Sequence, residues 1–223
     1  MAKSAKPAKQ FKDGYFISFE GGEGSGKSTQ SALLAETLRS EGYEVVETHE
    51  PGGSPGGKIV REVLLGGHAI DKGPLAEACL LTSARREHVD SVIKPALKAG
   101  KIVLCDRFAD STRVYQGYVG GLPDETINRL EAVATAGEKP RITFVLDVDK
   151  LVANGRRIAR LAEKGDANDR FEREDQSFHD KVGEGFRKLC QNNPERCVLV
   201  DGNAKPNAIG VTIRDTLRLR DLI

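Results

Sequence analysis

The chain has 223 residues, 39% of them hydrophobic and 30% charged, which is enough apolar content to bury a core of domain size. Lys and Arg total 34 against 33 Asp and Glu, a formal net charge of +1, so no global basic field directs the chain to nucleic acid or an anionic membrane, and any anion site must be local. No apolar run approaches the ~18 residues of a membrane span. Cys79, Cys105, Cys190 and Cys197 lack both C-x-x-C spacing and a nearby His, which reads as reduced thiols in a cytoplasmic protein.

Residues 1–12, with Lys3, Lys6, Lys9 and Lys12 among Ala, Ser and Pro, are expected to form a disordered basic tail ahead of one domain spanning 13–223. That domain begins with an apolar run, Tyr15 to Glu20, that predicts a buried strand and leads at once into Gly21-Gly22-Glu23-Gly24-Ser25-Gly26-Lys27-Ser28-Thr29. This octet and its flanks match G-x-x-x-x-G-K-[ST], and the helical periodicity of Gln30 to Ser40 supplies the strand, loop and helix order that a phosphate-binding loop requires. Glycines let backbone N–H groups close on phosphate oxygens; Lys27 would reach the β- and γ-phosphates and Ser28 would ligate Mg²⁺.

Gly42 ends that helix, and Glu44 to His49 predicts a second strand, parallel to the first through a right-handed crossover. Beyond its carboxyl end, where open α/β sheets hold ligands, lies Glu50-Pro51-Gly52-Gly53-Ser54-Pro55-Gly56-Gly57, readable as a ligand loop or as a flexible connection. Lys58 to Leu65 predicts a short helix and Pro74 to Ala99 one or two more, with a kink at Pro95. The adjacent Arg85 and Arg86 lie on this apolar segment, and periodicity does not say which faces inward.

Lys101 to Asp106 predicts a central strand whose final carboxylate could serve a phosphate-bound Mg²⁺; Asp147, ending a further strand from Ile142, is the competitor. Asp106 is preferred because Arg107 follows it and could hold an acceptor phosphate, whereas Asp147 leads into a helix that it could cap. Between them, Asp110 to Gly121 reads as a loop whose Ser111, Thr112, Arg113, Tyr115 and Gln116 suit the edges of a base or sugar. Asp124 to Ala136 predicts a helix with Ile127, Leu130, Val133 and Ala134 on one face. The charged stretch at about 153–170 suits a mobile lid carrying cations, or a solvated helix end. Glu174 to Gln191, Cys197 to Asp201 and Pro206 to Leu222 complete a helix, strand and helix.

Strands alternating with helices predict one doubly wound α/β domain with a five-stranded parallel sheet and helices on both faces. Two classes fit a phosphate loop in such a domain, a phosphotransferase and a nucleotide-switch or motor ATPase. The arginines beyond the loop and the single-domain length favour the phosphotransferase.

Taken in order, Phe19 to Gln30, Glu50-Pro51-Gly52-Gly53, Arg85-Arg86-Glu87-His88, Asp106-Arg107-Phe108 and Ser111 to Gly117 resemble the bacterial thymidylate kinases from about residue 15 onward. The resemblance implies the P-loop nucleoside-monophosphate kinase fold, and transfer of the γ-phosphoryl of ATP to dTMP, with a broader monophosphate kinase as the alternative. By resemblance, Gly21 to Thr29 hold ATP, and Ser28 and Asp106 serve Mg²⁺. Glu23 lies near the acceptor sugar, and Arg107 takes the dTMP phosphate. Glu50 and Pro51 border that phosphate, Arg85 contacts thymine, Thr112 and Gln116 read its polar edge, and Tyr115 occupies the place of a ribose 2′-hydroxyl. The phosphate loop lacks an arginine, so the family pattern sends the catalytic cation to the lid, to Arg157 and Arg160 with Arg156 nearby, and Arg170 matches a motif that follows it. Leu81 stands where the family usually carries a base-stacking Phe, and Arg113 is an additional cation without a family counterpart. The resemblance also implies a homodimer.

Overall fold

The computed structural model describes residues 11–66, 72–164, 174–221 and 223, with side chains left undescribed at 160–164. A five-stranded, all-parallel sheet in the order β2-β3-β1-β4-β5 forms its centre. The strands are β1 (Tyr15–Glu20), β2 (Val45–His49), β3 (Ile102–Asp106), β4 (Ile142–Asp147) and β5 (Cys197–Asp201). Helices α1 (Lys27–Ser40), α2 (Pro55–Leu65), α3 (Gly73–His88), α4 (Lys94–Lys98), α5 (Ala109–Thr112), α6 (Asp124–Thr135), α7 (Lys150–Lys164), α8 (Gln176–Asn192) and α9 (Pro206–Leu219) connect and cover them.

Strand alternation decides which layer each side chain meets. On one face Tyr15, Ile17 and Phe19 of β1 pack with Leu34 and Leu38 of α1 and with Ile209 and Ile213 of α9. On the other, Phe16 joins Val103 and Cys105 of β3, Val89 and Ile93 from the turns that follow α3, and Phe108. Ser18 and Glu20 share that second face by the period of two, and both are fully buried. Phe11 joins the first core cluster, stacking on Tyr43 with ring centroids 5.6 Å apart while its N–H donates to Gly100 O. Residues 1–10 of the expected tail lie outside the described residues.

Two expectations about local structure change. The predicted kink at Pro95 takes the form of π-helical turns at Val89–Ile93, where Lys94 N–H donates to Val89 O, five residues back. Proline has no N–H and its ring crowds the carbonyl four residues earlier, so a widened turn just before it lets helix continue. The segment expected as a loop after Asp110 is helical: α5 runs directly into π-helical turns at Arg113–Val119, with Val114, Tyr115, Gln116 and Gly117 buried. On α6, Ile127 and Ala134 are buried as expected, but Val133 is 60% exposed and so is not on the core face.

β1 has β3 on one side and β4 on the other, so the strands that follow are laid down on both sides of it and a crevice opens at its carboxyl end. Glu20, Asp106 and Asp147 all emerge at this edge.

Candidate functional site

The phosphate-binding loop is built by backbone constraint. Gly21 has φ +136°, and a Cβ there would lie 2.5 Å from Leu146 O. Gly24 has φ +72°, with a Cβ position 2.5 Å from Ala153 O on α7. No side chain larger than hydrogen fits either place. α1 then starts with no capping side chain and no acid in its first turn, so its free N–H groups and the positive end of its dipole face the loop. Lys27 folds back, donating to Gly22 O (2.7 Å), Gly21 O (3.1 Å) and Ser25 Oγ (3.2 Å). Burial, and next the Arg107 charge, pull its ammonium down to about 8.

Ser28 Oγ donates to Asp106 Oδ2, bringing together the two oxygens singled out for Mg²⁺. Asp147, the competitor, accepts from Arg187 Nη1 at 2.8 Å in a salt bridge. No group of three or more His, Cys, Asp or Glu among the described residues could hold a metal. A hydroxyl and one carboxylate fit Mg²⁺ that keeps waters and substrate phosphate oxygens for its remaining positions.

Arg107 sits immediately beyond β3 with φ +68°, an uncommon conformation for a non-glycine residue. Its N–H donates to Phe19 O at 2.9 Å. Its guanidinium donates from Nη1 to Gly21 O (3.1 Å) and Ser111 Oγ (3.2 Å), and from Nη2 to Glu23. The same group lies 5.2 Å from the Tyr115 ring centroid. Burial pushes the Tyr115 phenol up, so it stays neutral.

A second set of hydrogen-bonded residues lies beside Phe108, around Glu50 and Arg85. Glu50 accepts from Arg85 Nε (2.6 Å) and is paired with His88 Nδ1 (2.8 Å), while His88 Nε2 bonds Thr48 Oγ1 (2.6 Å). Arg85 also donates to Thr112 Oγ1 (3.1 and 3.2 Å) and Phe108 O (3.1 Å). Of the adjacent arginines, Arg85 is thus the buried one; Arg86 pairs with Asp90 on the surface. Glu50, Pro51, Leu81 and Arg85 line one small cavity. Gln116 donates to Glu77 Oε2 at 2.9 Å. Arg113 turns away to α6, bonding Glu131 (2.7 Å) and Asn128 (2.8 Å), so the unassigned cation is a helix-to-helix tie.

The α7 segment approaches the loop. Arg156 Nη1 reaches Ser25 O at 3.4 Å, whereas Arg157 contacts His179 Nε2 (3.0 Å) and Asn154 Oδ1 (2.9 Å). Arg157 lines a cleft with Gly21, Gly22, Glu23, Asn154 and His179. The side chain of Arg160, and Arg170 altogether, lie outside the described residues.

Sequence reasoning passed over Glu20. Its carboxylate accepts from Phe108 N–H (2.7 Å) and Ser111 Oγ–H (2.6 Å). Burial, and secondarily the charge of Asp110, push it up to about 7. The available signal was the one used for Asp106, a carboxylate ending an apolar strand. Asp110 itself is buried, held by Arg196 (2.6 and 2.9 Å), and the network continues to Thr143 and Ser18.

A parallel 2-3-1-4-5 sheet carrying a G-x-x-x-x-G-K-S loop at its switch point, with Ser28 on Asp106 and an arginine facing the loop, defines a P-loop nucleoside-monophosphate kinase fold. A family model described as thymidylate kinase matches residues 19–213, and the chain belongs to that family. It is 46% identical over 210 residues to a thymidylate kinase of Nitrobacter hamburgensis, covering 94% of this chain and 90% of the relative. Against a thymidylate kinase of Caulobacter vibrioides it is 44% identical over 204 residues, covering 92% and 96%. The crystal structure of thymidylate kinase from Ehrlichia chaffeensis superposes with a TM-score of 0.74 at 35% identity, covering 92% and 98%. No helix among the described residues is long and apolar enough to cross a membrane.

Proposed function

We infer that this enzyme transfers the γ-phosphoryl of ATP to dTMP, giving dTDP and ADP on the way to dTTP. The observation that carries this reading is the position of Arg107: its guanidinium touches Gly21 and Glu23 of the phosphate loop, and the carbonyl of the next residue, Phe108, accepts from Arg85. One residue thereby borders both a donor loop and an acceptor pocket.

In this reading the loop amides and Lys27 hold the ATP phosphates, and Arg107 exchanges Glu23 for the dTMP phosphate, which frees the Glu23 carboxylate for the acceptor sugar. Arg85 and Thr112 face the base, with Gln116 oriented by Glu77, while Leu81 covers the ring and Tyr115 fills the space of a 2′-hydroxyl. Ser28 and Asp106 would hold Mg²⁺, which when bound with ATP neutralises charge on the β- and γ-phosphates. The acceptor is already a phosphate dianion, so no strong general base is required. Positioning and cations dominate, and Arg156, whose guanidinium already reaches Ser25 O, is the described lid arginine best sited to supply one.

The same reading takes residues 13–223 as one kinase domain with a lid at about 153–170, working in the cytoplasm as a homodimer. Exposed Ile59, Leu75 and Val133, on α2, α3 and α6, are apolar side chains that a second copy could cover.

Coupled ADP release tests the substrate. With ATP and Mg²⁺, dTMP should turn over far better than dCMP, dGMP or UMP. Equal turnover of all four would replace this reading with a broad monophosphate kinase, and steady hydrolysis without acceptor would replace it with an ATPase.

A further inference from the structure

We propose that Glu20 is a positioning residue for the acceptor phosphate, acting through Ser111 and the Phe108 amide to hold the Arg107 guanidinium toward the site. Glu20 is fully buried, with no exposed surface, on the sheet face opposite the α1 packing layer. A buried carboxylate is costly unless its oxygens are satisfied, and both of its oxygens are spent on the turn that carries Arg107. Oε1 accepts from Phe108 N–H at 2.7 Å, the peptide directly after Arg107. Oε2 accepts from Ser111 Oγ–H at 2.6 Å, and Ser111 Oγ accepts in turn from Arg107 Nη1 at 3.2 Å.

The Ser111 hydroxyl has one hydrogen. Giving it to Glu20 leaves its lone pairs facing the guanidinium, so the carboxylate decides that Ser111 presents an acceptor to Arg107. The Phe108 bond acts on the backbone: it fixes the peptide that follows the residue at φ +68°, a conformation that the surroundings must impose on a non-glycine residue. Glu20 also immediately precedes Gly21, whose carbonyl is the other acceptor of Nη1. One side chain thus couples the start of the donor loop to the direction of the acceptor arginine.

This inference rests on the reading of Arg107 as the acceptor-phosphate ligand, and the experiment separates the two. Steady-state kinetics with dTMP and ATP varied independently would be measured for Glu20→Ala, Ser111→Ala, Arg107→Ala and the double variants with Arg107→Ala. The expected result is a rise of about ten-fold or more in KM for dTMP in Glu20→Ala, and a smaller rise in Ser111→Ala, with KM for ATP held within about two-fold. In the Arg107→Ala background neither change should add more than about two-fold, because the side chain they direct is gone.

KM values for both substrates rising together, or a Glu20→Ala effect undiminished in the Arg107→Ala background, would overturn the inference in favour of general support of the fold. Arg107→Ala impaired with Glu20→Ala and Ser111→Ala normal overturns it alone. Arg107→Ala with an unchanged KM for dTMP overturns the Arg107 assignment and this one with it. Should Glu20→Ala fail to fold, Ser111→Ala decides, since it keeps the buried carboxylate and its backbone bond.

Discussion

Ser28, the first hydroxyl of α1, donates to the carboxylate of Asp106 at the end of β3, although 78 residues separate them in the chain. Two oxygens suited to a hard cation meet at the N-terminus of a helix, where a phosphate would also lie. Asp106→Asn should raise the Mg²⁺ concentration giving half-maximal rate by roughly ten-fold and lower kcat by about 10- to 100-fold, with little change in KM for dTMP. A Mg²⁺ titration at fixed ATP checks this. A larger effect from Asp147→Asn would reverse the assignment, and its engagement with Arg187 argues against that outcome.

Glu50 carries two buried partners at once, Arg85 and His88. Removing it leaves a buried guanidinium without its carboxylate, at a cost of about 3–5 kcal/mol. At the ~2–4 °C per kcal/mol usual for a domain of 150–250 residues, Glu50→Ala should lower Tm by roughly 6–20 °C. Differential scanning calorimetry of the ligand-free protein measures it, and a Tm within 2 °C of wild type would show that Arg85 does not depend on this pairing.

The Glu20 carboxyl is pushed up from its ordinary 4.5 to about 7 by burial, with Asp110 second. Between those values the folded protein keeps a proton that the unfolded chain releases. The associated stability is therefore complete below pH ~4.5 and lost as pH rises through about 7, amounting to about 3 kcal/mol. Glu20→Gln has no such group, so the difference in unfolding free energy between variant and wild type should shift in favour of the variant by about that amount from pH 5 to pH 8. Urea unfolding at the two pH values reads it directly; a constant difference would mean that the carboxyl titrates where an exposed one does.

Arg156 and Arg157 are neighbours on α7 with different destinations, Ser25 of the loop for the first and His179 of α8 for the second. Loss of a cation that stabilises transferring phosphoryl lowers kcat by about 10²- to 10³-fold or more. Arg156→Ala should show such a loss with KM values little changed, and Arg157→Ala a smaller one. Single-turnover kinetics distinguishes a chemical defect from slowed product release, and a more damaging Arg157→Ala would return the role to the cleft face of the helix.

How much of this was legible in the chain differs by element for physical reasons. The strands were readable because a parallel sheet covered on both faces needs continuous apolar runs, and β1, β4 and β5 fall on the residues expected, with β2 and β3 each starting one residue later. Arg85 and Arg86 were indistinguishable because the helical period resolves a face only when the neighbouring layers are known. Val133 fits the apolar stripe of α6 yet is largely exposed, because the helical period does not say how much of a stripe the neighbouring layer covers. The segment after Asp110 reads as a loop from its Ser, Thr and Gly content; packing against α8 keeps it helical, as tertiary burial overrides weak local propensity.

The sequence by itself determined the parallel α/β architecture and the phosphate loop, because glycine spacing, the lysine and the flanking apolar periods are local and each has few conformational solutions. Which carboxylate meets Ser28, which arginine is buried, and that Glu20 and Ser111 stand behind Arg107 were decided only by tertiary structure. Those relations join residues tens of positions apart through strand order and helix packing, and no local period in the chain encodes the distance between them.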